Sequence, residues 1–308
     1  MIASLRARLD AAEESANDAL PGPLKVGFLT LYLFSTASAD WFDALARRRG
    51  VGRWADAGIA VLVGLQVGGM ALVAGAAWQA LGRTRATALN DPVNAVALPG
   101  VNEFMPLAAA PYVVAGLVVA TVVHEAGHAL VCRRANVAVT EWGVALLFGL
   151  LPLAAYVLPD DAIENAPVRT KLRMYAVGVF HNLLVAVVAL ALLFSPLSAG
   201  SPLDAYLTYF GWALTGGSPP TAAAVAEIGV LTNLAFWLAL LNANFALLNA
   251  LPVSVFDGGR VLALALRASA DRLGIALSPL AESAVVHGAS LLAVALVVAA
   301  LLGPALPV

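Results

Sequence analysis

The sequence contains few charged residues: only 12% of its 308 residues are Asp, Glu, Lys or Arg. A soluble domain contains about 25% charged residues, whereas 61% of this chain is hydrophobic and its mean hydropathy is +0.87. This composition excludes an ordinary soluble domain and predicts an integral membrane protein. The formal net charge of −2 gives no reason to expect a nucleic-acid partner. The single cysteine, Cys132, excludes an internal disulfide framework.

Long runs without charge predict the membrane spans. About 20 residues are needed to cross a bilayer, and five uncharged runs are that long: 59–81, 104–123, 175–199, 228–256 and 284–308. Two shorter runs are ambiguous. Residues 26–39 could form a sixth span, and residues 142–159, which contain Pro152 and Pro159, could form a full span or a re-entrant segment. We therefore expect an all-α, multi-pass membrane protein with about six transmembrane helices and a re-entrant segment around 142–159.

The distribution of Lys and Arg favours the re-entrant alternative. If 142–159 returns to the side from which it entered, one side of the membrane collects twelve of the seventeen basic residues, at 47–53, 133–134, 169–173 and 260–272. Basic residues are enriched on the cytoplasmic side, so residues 124–134 and 253–260 are predicted to lie towards the cytoplasm. We expect a multi-pass protein of the cell membrane. A signal peptide ending at Ala39 is disfavoured by the acidic residues at 10–18.

The stretch HEAGH, residues 124–128, places ionisable groups at the end of an apolar run. His124 and His128 are spaced i and i+4, so both imidazoles lie on one face of a helix and can reach one Zn²⁺. Glu125 beside them can act as general base for a metal-bound water. A charged side chain in a membrane is costly, so a functional role is favoured over a histidine pair that only forms hydrogen bonds between helices.

A catalytic zinc needs a third protein ligand. Cys132 lies about 12 Å along the helix from His124 and is better explained as a packed thiol. His287 is better explained by a structural or solvent-facing role. Asp257 is the stronger candidate, because it follows 29 uncharged residues and stands between Pro252 and two glycines. Irregular backbone at membrane depth occurs where it lines a cavity or is buried in protein. The alternative is that Asp257 caps a cytoplasmic helix beginning at Gly258.

Three motifs in order resemble the site-2 protease family of intramembrane zinc metalloproteases. The first is HEAGH, and the second is NALPVSVFDGG, in which Asn249, Pro252, Asp257 and Gly258 fit the family pattern N-x-x-P-x-x-x-L-D-G. Phe256 replaces the usual leucine. The third is GVFHN, which lies between the other two in the chain and has Gly178 and Asn182 at the expected spacing. The specific resemblance covers residues 104–265.

This resemblance implies roles for individual residues. His124, His128 and Asp257 would bind Zn²⁺, and Glu125 would be the general base. Asn182 and Asn249 would lie near the metal, where amides can hold the substrate backbone or a developing oxyanion; hydrogen bonding between helices is the alternative for both. His181 would pack or form hydrogen bonds beside the site without binding metal. Asn242 and Asn244 have no counterpart in the motif and are interpreted as helix contacts.

The resemblance also implies the domain organisation and the function. We predict amino-terminal helices and an outer loop at 1–103, a metalloprotease core at 104–265 and a carboxy-terminal helix at 266–308. The interval between 199 and 228 is too short for the PDZ domain of many family members, and no CBS module follows the core. The loop 83–104 could cap the site or be a plain linker.

The implied activity is hydrolysis of a peptide bond in or near a transmembrane helix of a membrane-protein substrate, in contact with membrane lipid, as in regulated intramembrane proteolysis. An inactive relative that binds or chaperones membrane proteins is the alternative, and a transporter using zinc or protons is the third. The intact His, Glu, His and Asp favour the enzyme over the inactive relative, and proteolysis by the purified protein would separate the enzyme from the transporter. The sequence leaves the substrate, the triggering signal and the oligomeric state open.

Overall fold

A computed structural model describes residues 13, 15–27, 29–37, 40–83, 86–95, 98–149 and 151–305. The described chain is mostly helical. Its helices are α1 (Asp43–Ala46), α2 (Val51–Leu81), α3 (Ala110–Arg134), α4 (Val168–Leu193), α5 (Pro202–Tyr206), α6 (Trp212–Thr215), α7 (Ala222–Glu227), α8 (Val230–Ala250), α9 (Asp257–Leu273) and α10 (Pro279–Leu302). Its strands are β1 (Leu24–Gly27), β2 (Thr30–Ser35), β3 (Val139–Leu147) and β4 (Leu151–Pro159).

Within the described residues, five helices are long and apolar enough to cross a membrane: Val51–Leu81, Leu107–Arg134, Val168–Leu193, Val230–Ala250 and Pro279–Leu302. Each contains most of one of the five long uncharged runs, so these five predictions are confirmed. Helix α9 does not have the length and composition of a membrane span, because Arg and Asp side chains recur along its 17 residues. The chain is therefore an integral membrane protein with a helical membrane region.

The prediction of a purely α-helical fold with about six spans is wrong for the two ambiguous runs. The described residues of 26–39 form parts of β1 and β2 instead of a sixth helix, and 142–159 forms β3 and β4. The second run does turn back on itself, but as a β-hairpin, and Phe148 and Gly149, between its two strands, both have positive φ. Apolar runs of this length fit strands as well as helices, and long-range pairing decides between them.

The described residues divide into two compact units, one within 1–52 and 125–174 and the other within 53–124 and 175–308. The first unit contains an antiparallel sheet of order β1-β2-β3-β4. Its central pair joins β2 to β3, with Leu33 opposite Val144 and Phe34 opposite Gly143. A Cβ atom at Gly143 would lie 2.3 Å from the Leu33 carbonyl oxygen, so the two strands can approach this closely only at a glycine.

Two polar clusters hold the first unit together. Glu141 accepts hydrogen bonds from Lys25 of β1 and from the Tyr156 hydroxyl of β4. Burial raises the pKa of Glu141, but these two hydrogen bonds together lower it by a larger amount. The pKa of Glu141 therefore lies below its ordinary value. The second cluster joins the end of α3 to α1, because Arg133 donates to both carboxylate oxygens of Asp43 at 2.6 and 3.0 Å. A hydrogen bond from Arg133 lowers the pKa of Asp43.

Buried aromatic side chains form the core of the second unit. Tyr209 and Trp237 are fully buried, and Phe236 stacks on Tyr209 at 5.1 Å between ring centroids. Glycines allow the long helices to approach closely: a Cβ at Gly116 of α3 would lie 2.7 Å from Leu241 Cδ1 and 3.1 Å from the Trp237 carbonyl oxygen of α8. Small residues at such contacts are typical of helix packing in membranes.

Candidate metal centre

Helix α3 carries His124, Glu125 and His128 on consecutive turns, and one ligand atom from each lies within 4.8 Å of the others. His124 is buried, with 6% of its surface exposed, whereas Glu125 and His128 are half-buried. The helix runs without interruption from Ala110 to Arg134, so the i, i+4 spacing places both imidazoles over one patch of its surface. The first sequence motif therefore forms the cluster that its spacing predicts.

Both histidines use Nδ1 for a hydrogen bond. His124 Nδ1 lies 2.7 Å from Asn182 Oδ1, and His128 Nδ1 lies 2.8 Å from the Met174 carbonyl oxygen. A backbone carbonyl can only accept, so His128 Nδ1 carries a hydrogen and Nε2 is the ring nitrogen left for a metal. Histidines that bind metals are held in this way by an oxygen atom on the other ring nitrogen.

Asp257 lies beside His124. It is the first residue of α9, it is 9% exposed, and its Oδ2 lies 3.0 Å from His124 Nε2. Two atoms bound to one zinc at about 2.0–2.1 Å are about 3.3 Å apart in a tetrahedral site, so the observed distance fits shared coordination. The alternative of an N-terminal cap is not what the structure shows, because Phe256 occupies the N-cap and makes no side-chain capping bond.

The turn before Asp257 is held by backbone packing and by two other helices. A Cβ at Gly258 would lie 2.1 Å from the Ala250 carbonyl oxygen, so a side chain is excluded there. Gln66 of α2 donates to the Gly258 carbonyl oxygen at 2.9 Å. Ser290 of α10 accepts from the Ser254 backbone N–H at 2.9 Å. These contacts fix the position from which the Asp257 carboxylate faces His124.

Gly178 of α4 leaves space for the His124 ring. A Cβ at this position would lie 2.9 Å from both Cε1 and Nε2 of His124. We expect Gly178→Ala to displace the ring and to weaken metal binding by about 10-fold or more, a cost typical of changes that disturb ligand orientation. Metal content and affinity of the purified protein measure the effect.

Gly64→Ala in α2 is the matched control, because a Cβ there meets nothing within 4 Å. The same glycine-to-alanine change favours the helix by about 1 kcal/mol in both variants. A Gly178→Ala protein that binds metal as tightly as the Gly64→Ala protein would contradict this role for Gly178.

The two asparagines predicted to bind substrate differ in their surroundings. Asn182 is fully buried, and its Nδ2 donates to the Ala120 carbonyl oxygen at 2.8 Å and to Asn242 Oδ1 at 3.0 Å. These contacts favour the alternative of hydrogen bonding between helices. Asn249 is half-buried and donates to the Phe245 carbonyl oxygen of its own helix. A substrate contact stays a prediction for both residues.

The remaining polar candidates have hydrogen bonds away from the metal ligands. His181 Nδ1 lies 3.1 Å from the Val123 carbonyl oxygen, and its Nε2 accepts from Trp54 Nε1 at 3.1 Å. This agrees with hydrogen bonding beside the site. His287 is exposed and lies 2.8 Å from the Ser283 carbonyl oxygen. Cys132 is buried, with Sγ 3.5 Å from Met174 Sδ.

The loop 83–104, in its described part, packs at the other end of the spans. Asn90 donates to the Leu301 carbonyl oxygen at the end of α10. The chain then enters α3 at Ala110, and His124 lies about 21 Å further along that helix. These positions favour a structural connection over a cap on the site.

A profile of peptidase family M50 matches residues 112–296, which is more than half of the chain. The chain belongs to peptidase family M50. This is the site-2 protease family, whose members are metal-dependent membrane proteases, so the resemblance drawn from the three motifs is confirmed. No solved structure matches the chain. The division into parts at 103 and 265 stays a prediction.

The residues present fit the metal of an M50 peptidase. Two imidazoles and a carboxylate form the donor set of catalytic zinc sites that keep one position open. The Nδ1 atoms of both histidines form hydrogen bonds with oxygen atoms of the protein, and Asp257 Oδ2 lies beside His124 Nε2. The chemistry of this set therefore suits a divalent metal ion.

Sequence reasoning missed the groups that support this centre. Gln66 and Ser290 have no place in the family motifs, yet they hold the backbone on either side of Asp257, and Asn242, interpreted from the sequence only as a helix contact, bonds to Asn182. A signal was present for Gln66 and Asn242, since uncharged polar side chains within membrane helices tend to form hydrogen bonds between helices. That signal does not identify their partners.

Proposed function

We propose that this M50 peptidase is an intramembrane zinc endopeptidase that cleaves a peptide bond within or near a transmembrane helix of a membrane-protein substrate. His124, His128 and Asp257 bind Zn²⁺, and Glu125 is the general base. The substrate and the surrounding lipid are the partners, and regulated intramembrane proteolysis is the proposed setting. The approach of Asp257 Oδ2 to His124 Nε2 at 3.0 Å carries this proposal, because it joins two motifs on different helices.

The metal ion and Glu125 would share the work of the reaction. The zinc ion, when bound, polarises the scissile carbonyl group and lowers the pKa of water. Glu125 takes a proton from the attacking water as the new C–O bond forms. It then delivers that proton to the leaving nitrogen as the C–N bond breaks. The half-buried position of Glu125 beside His124 suits both transfers.

A helical substrate shields its own peptide bonds, so it must unwind before it can react. Gly and Pro are about 1 and 3 kcal/mol less favourable than Ala within a helix, and such residues near the scissile bond lower the cost of unwinding. The β3–β4 hairpin supports the topology in which 142–159 returns to one side, with the basic residues and the site towards the cytoplasm. We therefore propose that cleavage occurs in the cytoplasmic half of the substrate span.

Removal of the metal tests the proposed enzyme. The purified protein is reconstituted with a model single-span substrate and treated with a chelator. It is then expected to lose at least 90% of its cleavage activity, an effect of about 10-fold or more for a metal-dependent reaction. Stoichiometric Zn²⁺ should restore it. Mass spectrometry of the products should place the cut in the cytoplasmic half, near Gly, Pro or Asn. Cleavage that persists in metal-free protein would contradict the enzyme proposal, and products cut in the outer half would contradict the topology.

The same experiment separates the other two classes of function. An inactive relative that binds membrane proteins would retain the substrate without cutting it, and a zinc or proton transporter would show no proteolysis after purification. The intact Glu125 beside two histidines on one helix supports the enzyme over the inactive relative, because a protein that only binds needs no general base at this position.

A further inference from the structure

A chain of hydrogen bonds between buried side chains leads away from His124 across three helices. His124 of α3 contacts Asn182 of α4, and Asn182 contacts Asn242 of α8. Both asparagines are fully buried. Asn242 then donates to the Leu238 carbonyl oxygen of its own helix at 2.9 Å.

Backbone carbonyl groups fix the direction of every bond in this chain. The Leu238 carbonyl oxygen only accepts, so Asn242 directs Nδ2 to it and Oδ1 to Asn182. The Ala120 carbonyl oxygen also only accepts, so Asn182 directs Nδ2 to Ala120 and to Asn242. Both hydrogens of the Asn182 amide are then in use, and its Oδ1 faces His124 Nδ1.

This arrangement selects one tautomer of His124. Nδ1 must donate to Asn182 Oδ1, so Nε2, which faces Asp257, is the ring nitrogen whose lone pair is left to bind a metal. A metal ligand needs that lone pair, and the orientation of its ring depends on the partner of its other nitrogen. Asn242 contributes by holding the amide plane of Asn182, since it is the side-chain acceptor for one of the two Asn182 hydrogens.

We propose that Asn242 is a positioning residue of the metal centre, which acts through Asn182 to hold His124 in the tautomer and orientation that bind metal. This proposal rests on the proposed zinc site. Without the Asn242 oxygen, one Asn182 hydrogen loses its acceptor inside the membrane region, and the amide turns to find another. Its Oδ1 is then no longer held against His124 Nδ1.

The test measures the Zn²⁺ dissociation constant of the purified full chain by competition with a chelator. Asn242→Ala and Asn242→Leu both remove the acceptor, one by leaving space and the other by filling it. Each is expected to raise the dissociation constant about 10- to 100-fold, the range for lost outer-sphere partners of metal ligands. The absorption spectrum of bound Co²⁺ should change as well, because the ligand field depends on the position of His124.

Asn242→Asp is the conservative variant. A buried carboxylic acid stays protonated, so one oxygen still accepts from Asn182 while the hydroxyl donates to the Leu238 carbonyl oxygen. Its affinity for Zn²⁺ should stay within about 3-fold of wild type for the same reason. A loss as large as that of Asn242→Ala would contradict the role of the acceptor.

Asn233→Ala is the matched control for a structural effect. Asn233 is also fully buried in α8, about 13 Å along the helix from Asn242, and accepts from the Tyr209 hydroxyl. It should leave Zn²⁺ affinity and the Co²⁺ spectrum unchanged. Equal losses in the two alanine variants, or wild-type affinity in Asn242→Ala and Asn242→Leu, would overturn the inference. A wild-type protein that binds no metal would instead overturn the proposed function.

Discussion

Glu125→Gln is expected to leave bound Zn²⁺ unchanged and to lower the rate of proteolysis by about 10²- to 10⁴-fold, the usual contribution of a general base. The amide keeps the size and much of the packing of the carboxylate, and the three proposed ligands remain. It cannot accept the proton of the attacking water, so the new C–O bond forms without proton removal. The measurement compares metal content with single-turnover cleavage of a transmembrane substrate.

Glu227→Gln provides the matched control for this substitution. Glu227 is exposed at the end of α7, so the same loss of one carboxylate there should leave both metal content and cleavage unchanged. Glu125→Gln protein that cleaves within about 10-fold of wild type would reject the assignment of the base, because even the weaker general bases contribute more. Loss of metal from that variant would instead make Glu125 a structural part of the metal site.

The membrane helices could be predicted from the sequence because the signal is local. A run such as 59–81 or 284–308 has no charge over the length of a bilayer, and only a helix satisfies its backbone within the segment. The HEAGH cluster could be predicted for the same reason, since helix geometry alone places His124 over His128. Both features depend on residues a few positions apart.

The four-stranded sheet could not be predicted in this way, because its central pairing is not local. Residues 30–35 pair with 142–147, more than a hundred positions away, and each strand satisfies one edge of its backbone only through the other. Either segment alone has the composition of a short apolar helix. Gly143 is the one local sign, as a glycine within a strand often marks a close backbone approach.

The supporting shell of the metal centre was also beyond local reasoning. Asn182 was predicted to lie near the metal, to hold substrate or to join helices, and the motif could not identify its hydrogen-bond partners. Its three partners, His124, Ala120 and Asn242, belong to two other helices, and both of its amide hydrogens and its Oδ1 are directed to them. A motif gives the identity of such a residue, whereas its direction depends on how the helices pack.

Asp257→Ala is expected to weaken Zn²⁺ binding by more than about 100-fold, because the loss of outer-sphere partners alone costs 10- to 100-fold and Asp257 is a proposed ligand. The backbone should tolerate the change, since Asp257 occupies the first helical position of α9 and alanine favours helices. Gly258, which the turn requires, stays in place. Zn²⁺ content and chelator competition measure the loss.

Cys132→Ala is the companion variant, because the Cys132 thiol can also bind metals and lies on α3, the helix that carries the two histidines. Its thiol is fully buried, lies about 12 Å along the helix from His124 and contacts Met174 Sδ at 3.5 Å. Removing the thiol should weaken the packing around Met174 and leave Zn²⁺ affinity and cleavage nearly unchanged. Full zinc occupancy in Asp257→Ala protein would refute the ligand role of Asp257. Metal loss in Cys132→Ala protein with Asp257 intact would show that the ligands were assigned to the wrong side chains.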